Sequence, residues 1–182
     1  MQVLETSRLV LRPWRVEDLD DFYRYVYNPH HAGTESGWRP QADREIARKV
    51  LLGMQENGES WALVYRADQR VIGCLGLYRD TWRDNDQGRK FGFDISQDYW
   101  DRDIVPEAAA AVIAYAFSAL DLAWLSSFCP ARSLARRRIL EKSGFVLEGV
   151  LRMACVLHTG EITDAACYSL LREEYRARHP RA

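Results

Sequence analysis

Two stretches of this 182-residue chain hold side chains whose types and spacing bear on chemistry. Tyr99-Trp100-Asp101-Arg102-Asp103 lies just ahead of Pro106 and the alanine-rich run Ala108 to Leu120. It therefore stands at the start of a helix, where free backbone N–H groups and the helix dipole attract negative charge. Asp101 and Asp103 suit that position as ordinary helix-start residues whose carboxylates satisfy those N–H groups. Equally, they fill from within a site that would otherwise hold an anionic ligand. The second stretch is Arg132, Arg136, Arg137 and Arg138. Such a charge run is a solvated helix face or a set of partners for an anion.

Elsewhere the reactive residue types lack companions. His30 and His31 sit between Asn28 and Pro40, in an irregular stretch of prolines and glycines; no further ligands complete a metal site, and none is expected. Cys74, Cys129, Cys155 and Cys167 are widely spaced and form no C-x-x-C pair, so they read as reduced, buried thiols. Trp38, Trp61 and Trp82 belong either to a pocket wall or to the core.

Periodicity gives the elements that must position these groups. Residues 7–12 alternate polar with apolar side chains, as a half-buried strand does. Val16 to Val26 places Leu19, Phe22, Tyr23 and Val26 at helical spacing, and a second helix carries Ile46, Val50, Leu51 and Met54 before Asn57-Gly58 closes it. Strands are expected at 61–65, 71–78 and 91–95. Pro106, whose missing N–H is harmless there, suits the first position of the next helix, and Val105 before it is biased away from helical geometry. A strand at 123–129, a basic helix at 133–142 and closing strands near 146–157 and 163–171 complete the order. Seven strands and their intervening helices suggest an α/β protein, helices packed on both faces of one sheet, in a single domain over residues 1–182.

The balance of 25 basic and 26 acidic residues excludes an overall basic field that would draw nucleic acid or anionic membrane. The opening MQVLETSRLVLRPW lacks the basic start and uninterrupted apolar stretch of a secretion signal, and no run is long enough to span a bilayer, which places the protein in the cytoplasm.

Five ordered pieces carry a likeness: ETSRLVLRPW with EDLDDFY, VIGCLGL, YWDRDIVPEA, ILEKSGF with LEGVLR, and GEITDAACYSLLREEY. Together they resemble the ribosomal-protein N-terminal acetyltransferase (RimJ/RimL-like) branch of the GNAT superfamily. The resemblance implies a mixed, mostly antiparallel seven-stranded sheet in which two parallel strands splay, near 91–96 and 123–129, with the pantetheine arm of acetyl-CoA between them. It further implies an N-acetyltransferase acting on a protein N-terminus or a small-molecule amine by direct transfer, with acetyl-CoA as co-substrate. The expected contacts are Phe93, Asp94 and Ile95 on the first splayed strand, Arg102, Asp103, Ile104 and Val105 at the helix start, and Ser133, Arg136 and Arg137 on the basic helix. Unpaired strand edges allow a homodimer.

Several positions depart from that pattern. The family's pyrophosphate loop, Gln/Arg-x-x-Gly-x-Gly/Ala, reads Trp100-Asp101-Arg102-Asp103-Ile104-Val105, with Asp103 at the central glycine. The ligand-side asparagine and serine have become Ser133 and Arg136, a common tyrosine has become Leu140, and Lys90 stands where a general-base glutamate is usual. Asp94 and Tyr168 are the candidate proton-transfer groups, with Asp164 as an alternative; a weak base suffices for an α-amino group with a pKa near 8. The altered loop leaves open a GNAT-fold protein that no longer uses acetyl-CoA, working as a binding or regulatory module, or an enzyme with another acyl donor.

Overall fold

The computed structural model describes residues 1–27, 43–100, 102–157 and 159–180. Its strands are β1 (Leu4–Glu5), β2 (Leu9–Arg12), β3 (Ser60–Tyr65), β4 (Arg70–Tyr78), β5 (Gly88–Ile95), β6 (Trp124–Pro130), β7 (Val146–Val156) and β8 (Ile162–Leu171). They form one sheet in the order β1-β2-β3-β4-β5-β6-β8-β7, so the expected seven strands become eight. The added β1 pairs only Leu4 with Leu11 and Glu5 with Val10, too short a segment to show alternation.

Helices cover both faces. On one face α1 (Leu19–Tyr27) and α2 (Arg44–Asn57) bury Phe22, Tyr25, Val26 and Leu51 against Ala62, Val64, Val71 and Cys74. On the other, α3 (Ile104–Ser118) and α4 (Leu134–Lys142) bury Val105, Val112 and Leu140 against Leu63, Leu75, Phe91 and Ile95. Alternation along each strand makes this division: Leu63 faces α3 while its neighbours Ala62 and Val64 face α1. A further helix, α5 (Arg172–Arg178), follows β8 directly where no element was expected. No helix among the described residues is long and apolar enough to cross a membrane.

At α3 the structure corrects two expectations. The helix begins at Ile104, so Pro106 is its third residue and Val105 is helical. A third-position proline costs nothing, because the first intrahelical bond runs from the Glu107 N–H to the Asp103 carbonyl, at 3.4 Å. The bias that Pro106 places on Val105 is outweighed by burial, since both Ile104 and Val105 are packed in the core.

Glu107 ties this helix to the start of the chain. Its carboxylate accepts hydrogen bonds from the Thr6 hydroxyl, the Ser7 hydroxyl (3.0 Å), the Arg8 backbone N–H (2.9 Å) and the Arg8 guanidinium. Burial pushes this carboxyl up, but the four donors outweigh it and hold the group at about 2, against an ordinary value of 4.5. A depressed carboxyl stabilises the fold in full above pH 4.5, and that contribution is lost as the pH falls toward 2. We expect Glu107→Gln to cost about 2 kcal/mol in urea unfolding at neutral pH. Between pH 4.5 and 2 the variant should lose less further stability than the unsubstituted protein; an unchanged acid profile would count against this anchor.

Candidate active site

β5 and β6 are the parallel pair of the sheet, and their register is short: Gly88 with Trp124, Arg89 with Leu125, Lys90 with Ser126. Beyond Lys90 and Ser126 the strands part. The resulting cleft has a volume of about 470 Å³, walled by residues 90–94 and 127–130, closed on one side by Cys155, Val156 and Leu157, and entered by Arg136 from α4. Its walls are mainly apolar, with Lys90, Asp94 and Arg136 as the charged groups.

Strand alternation assigns the edge. The Phe93 carbonyl accepts a hydrogen bond from Arg136 Nη1 at 3.4 Å, so it points into the gap; the same alternation sends the Phe93 N–H that way. Asp94 follows on the opposite face, paired in register with Cys74 and 5% exposed. Because α4 packs on the α3 face and Asp94 lies on the α1 face, Arg136 passes through the gap to bring its Nη2 within 3.5 Å of Asp94 Oδ1. On the way its guanidinium lies 5.2 Å from the centre of the Phe93 ring. Trp100 occupies the next acceptor along β5, its indole N–H donating to the Ile95 carbonyl at 3.2 Å.

At the start of α3 Asp103 adopts φ 50°, the left-handed region that a glycine would enter freely. Its carboxylate makes no hydrogen bond to the helix N–H groups, which corrects the capping expectation for this residue; it meets Lys142 Nζ at 2.7 Å instead. In the left-handed conformation the side chain points away from the first turn and toward the end of α4. Arg8 braces the same turn by donating to the Arg102 carbonyl at 2.8 Å and the Asp103 carbonyl at 3.3 Å. Arg102 itself lies over the Tyr99 ring, 5.2 Å from its centre. Asp101 is outside the described residues.

Residues 8–146 match the family described as the acetyltransferase (GNAT) domain. The chain belongs to that family. It is 26% identical over 181 residues to the uncharacterized N-acetyltransferase p20 of Bacillus licheniformis, covering 96% of this chain and 99% of that protein. It is 27% identical over 174 residues to the uncharacterized N-acetyltransferase YoaA of Bacillus subtilis, covering 93% and 97%. Among solved structures, RimL, a ribosomal L7/L12 alpha-N-protein acetyltransferase in complex with coenzyme A, shares the fold at a TM-score of 0.78, with 17% identity over 93% of this chain and 98% of that one. The parting of β5 and β6 that the family resemblance implied is present, and the protein is an N-acetyltransferase.

Within this GNAT enzyme the expected site residues separate into two groups. Phe93, Asp94 and Arg136 meet in the cleft. Tyr168 lies outside it, 1% exposed, where its hydroxyl accepts from Arg137 Nε at 3.1 Å and donates to Glu141 Oε1 at 2.8 Å; burial pushes this phenol above its ordinary value. Ser133 is buried at the start of α4, and its N–H bonds the Pro130 carbonyl at 2.8 Å. Asp164 accepts the N–H of Met153 at 2.9 Å and so holds a bulged turn of β7. Of the arginine run, Arg132 pairs with Glu161 on the surface, while Arg136 and Arg137 turn inward, so a wholly solvated face is corrected.

Other residues reached the cleft without a signal in the sequence. Cys74, Cys129 and Cys155 line it, brought from three strands. Burial, reinforced by the Asp94 carboxylate, pushes the Cys74 thiol up to about 12, which keeps it from acting as a thiolate nucleophile. Trp82 stacks on Phe128 at 4.6 Å between ring centres, whereas the Trp61 indole bonds the Gln2 carbonyl at 2.7 Å within the core. His30, His31 and Trp38 lie outside the described residues, among which no metal-binding cluster occurs.

Proposed function

We propose that this acetyltransferase takes its acetyl group from acetyl-CoA and transfers it directly to an amine, on a protein N-terminus or a small molecule. The observation that carries this reading is the gap beyond Lys90 and Ser126, where the β5 edge faces an apolar cavity with its peptide groups turned inward. A pantetheine arm is peptide-like, so its amides can pair with that edge as a strand would. The fold shared with RimL, whose structure holds coenzyme A, supports the same donor.

The residues fit the donor along most of its length. Phe93 would hold the arm, and the start of α3 with Arg102, Ile104 and Val105 would hold the pyrophosphate, aided by Lys142 when it leaves Asp103. Ser133, Arg136 and Arg137 flank the other wall. Acetyl-CoA supplies an activated acyl thioester. The N–H groups of the β5 edge stabilise negative charge on the carbonyl oxygen, the apolar walls exclude water, and positioning does most of the work. Asp94, anchored by Arg136, takes the proton of the attacking amine, while Tyr168 holds α4 against β8 through its bonds to Arg137 and Glu141.

Calorimetric titration with acetyl-CoA, followed by thiol release with a panel of amines, tests this. Micromolar binding and amine-dependent release are expected; absence of binding at millimolar acetyl-CoA would remove the reading.

A further inference from the structure

Lys90 is the last residue of β5 to pair with β6, so its side chain stands where the strands begin to separate. Its ammonium lies 5.3 Å from the centre of the Phe128 ring and 5.9 Å from that of Tyr78, and it lines the cleft. The rings flank the ammonium but offer only their faces, leaving its donors to a ligand. The other charged groups of the lining, Asp94 and Arg136, pair with each other. Among the described residues no carboxylate pairs with Lys90, so the cleft carries one positive charge in excess at its narrow end.

We propose that the acceptor is a small amine bearing a carboxylate beside the amine, an α-amino acid or a close analogue, whose carboxylate binds Lys90. The inference rests on the acetyl-transfer reading of the same cleft. In an α-amino acid the amine and carboxylate are joined through one carbon, so a carboxylate on Lys90 leaves the amine within the same cleft, whose walls also hold Phe93 and Asp94. A protein N-terminus has a neutral amide at that place and would leave the Lys90 charge uncompensated. A cation beside the amine also favours its neutral, nucleophilic form. Phe93, Phe128, Cys129 and Val156 in the walls suit an apolar side chain. In the transfer a bond forms between the amine nitrogen and the acetyl carbon, and the thioester C–S bond breaks. Sulfur leaves with the electron pair, and the proton lost by nitrogen passes through Asp94 and water to the thiolate.

Leucine, methionine and phenylalanine, each as free acid and as α-carboxamide, provide the test by calorimetric binding to the protein with and without coenzyme A. At least one acid should bind about tenfold or more tightly than its carboxamide, and Lys90→Met should bring that ratio to about one. Ratios at or below one for all three pairs in the unsubstituted protein would overturn the proposal, as would a preference in thiol-release kcat/KM for a peptide over the free amino acid that begins it. A ratio that survives Lys90→Met, in a variant that still binds acetyl-CoA, would also overturn it. Failure of acetyl-CoA to bind sinks only the donor reading, because the acid-to-amide comparison needs no turnover.

Discussion

Asp103→Gly should bind acetyl-CoA about ten- to a hundredfold more tightly than the unsubstituted protein. The reason is electrostatic: a carboxylate about 4 Å from a phosphate charge costs roughly 4 kcal/mol at the effective dielectric of a protein surface, around a thousandfold in affinity. That figure is an upper bound, because the Asp103 side chain turns away from the first turn of α3 toward the end of α4, and two further facts reduce it. Lys142 already neutralises Asp103 at 2.7 Å, and the pair is open to solvent, with 60% and 68% of the two side chains exposed, so salt screens it. One fact works the other way, since removing the carboxylate frees Lys142 to meet the phosphate itself. Glycine also enters the φ of 50° without the strain that an L side chain feels there, so the variant should be no less stable. Calorimetry at two salt concentrations checks this. The gain should shrink as salt rises, and a glycine variant that binds no more tightly would mean that Asp103 lies off the path of the donor.

The same comparison bears on how this enzyme keeps its cleft before a donor arrives. Three contacts run along the expected donor path: Arg136 on the Phe93 carbonyl, Trp100 on the Ile95 carbonyl, and Lys142 on Asp103. Each satisfies a group that a ligand would otherwise satisfy, so donor affinity is the difference between new bonds and these. The Arg136 contacts, at 3.4 and 3.5 Å, are long enough to be the weak members of the set.

How far the sequence discloses this depends on the range of each interaction. Alternation and helical spacing are local, and they placed seven strands and four helices, whereas the parting of the parallel pair was implied only by the family resemblance. Leu4–Glu5 was missed because two residues carry no period, and Arg172–Arg178 because it follows β8 with no turn residue between them. The departures in the pyrophosphate loop were visible as residue types. Their meaning was not, since Asp103 finds its partner 39 positions later in the chain. Arg136 and Arg138 look alike in the sequence; only the packing of Leu140 into the core turns the one toward the gap and leaves the other at the surface. Lys90 depended on rings from β4 and β6, which no local pattern brings together.

Gly73→Ala should lower stability by about 3 kcal/mol, and Tm by roughly 6 to 12 °C for a chain of this size. A methyl group at Gly73 would lie 2.3 Å from the Asp94 carbonyl oxygen and 2.9 Å from the Ile95 α-carbon. These are backbone atoms, which no rotamer change can move aside. The closeness has a local origin: the β3–β4 register slips between Leu63 and Val64, where Gly73 and Val71 are the partners and Ile72 is left out. That bulge pushes the chain at Gly73 onto β5. The strand displaced by a methyl group is the one that presents Phe93 and Asp94 to the cleft, so donor binding should fall together with stability. Gly53 supplies the control, because a methyl group there meets nothing within 4 Å on an α2 turn. Gly53→Ala should raise stability by about 0.5 to 1 kcal/mol and leave donor binding as it is. Thermal unfolding and acetyl-CoA calorimetry on the two alanine variants therefore expect opposite signs from one chemical change. If Gly73→Ala were as stable as the unsubstituted protein, the close approach of β4 to β5 would not be what shapes this wall of the cleft.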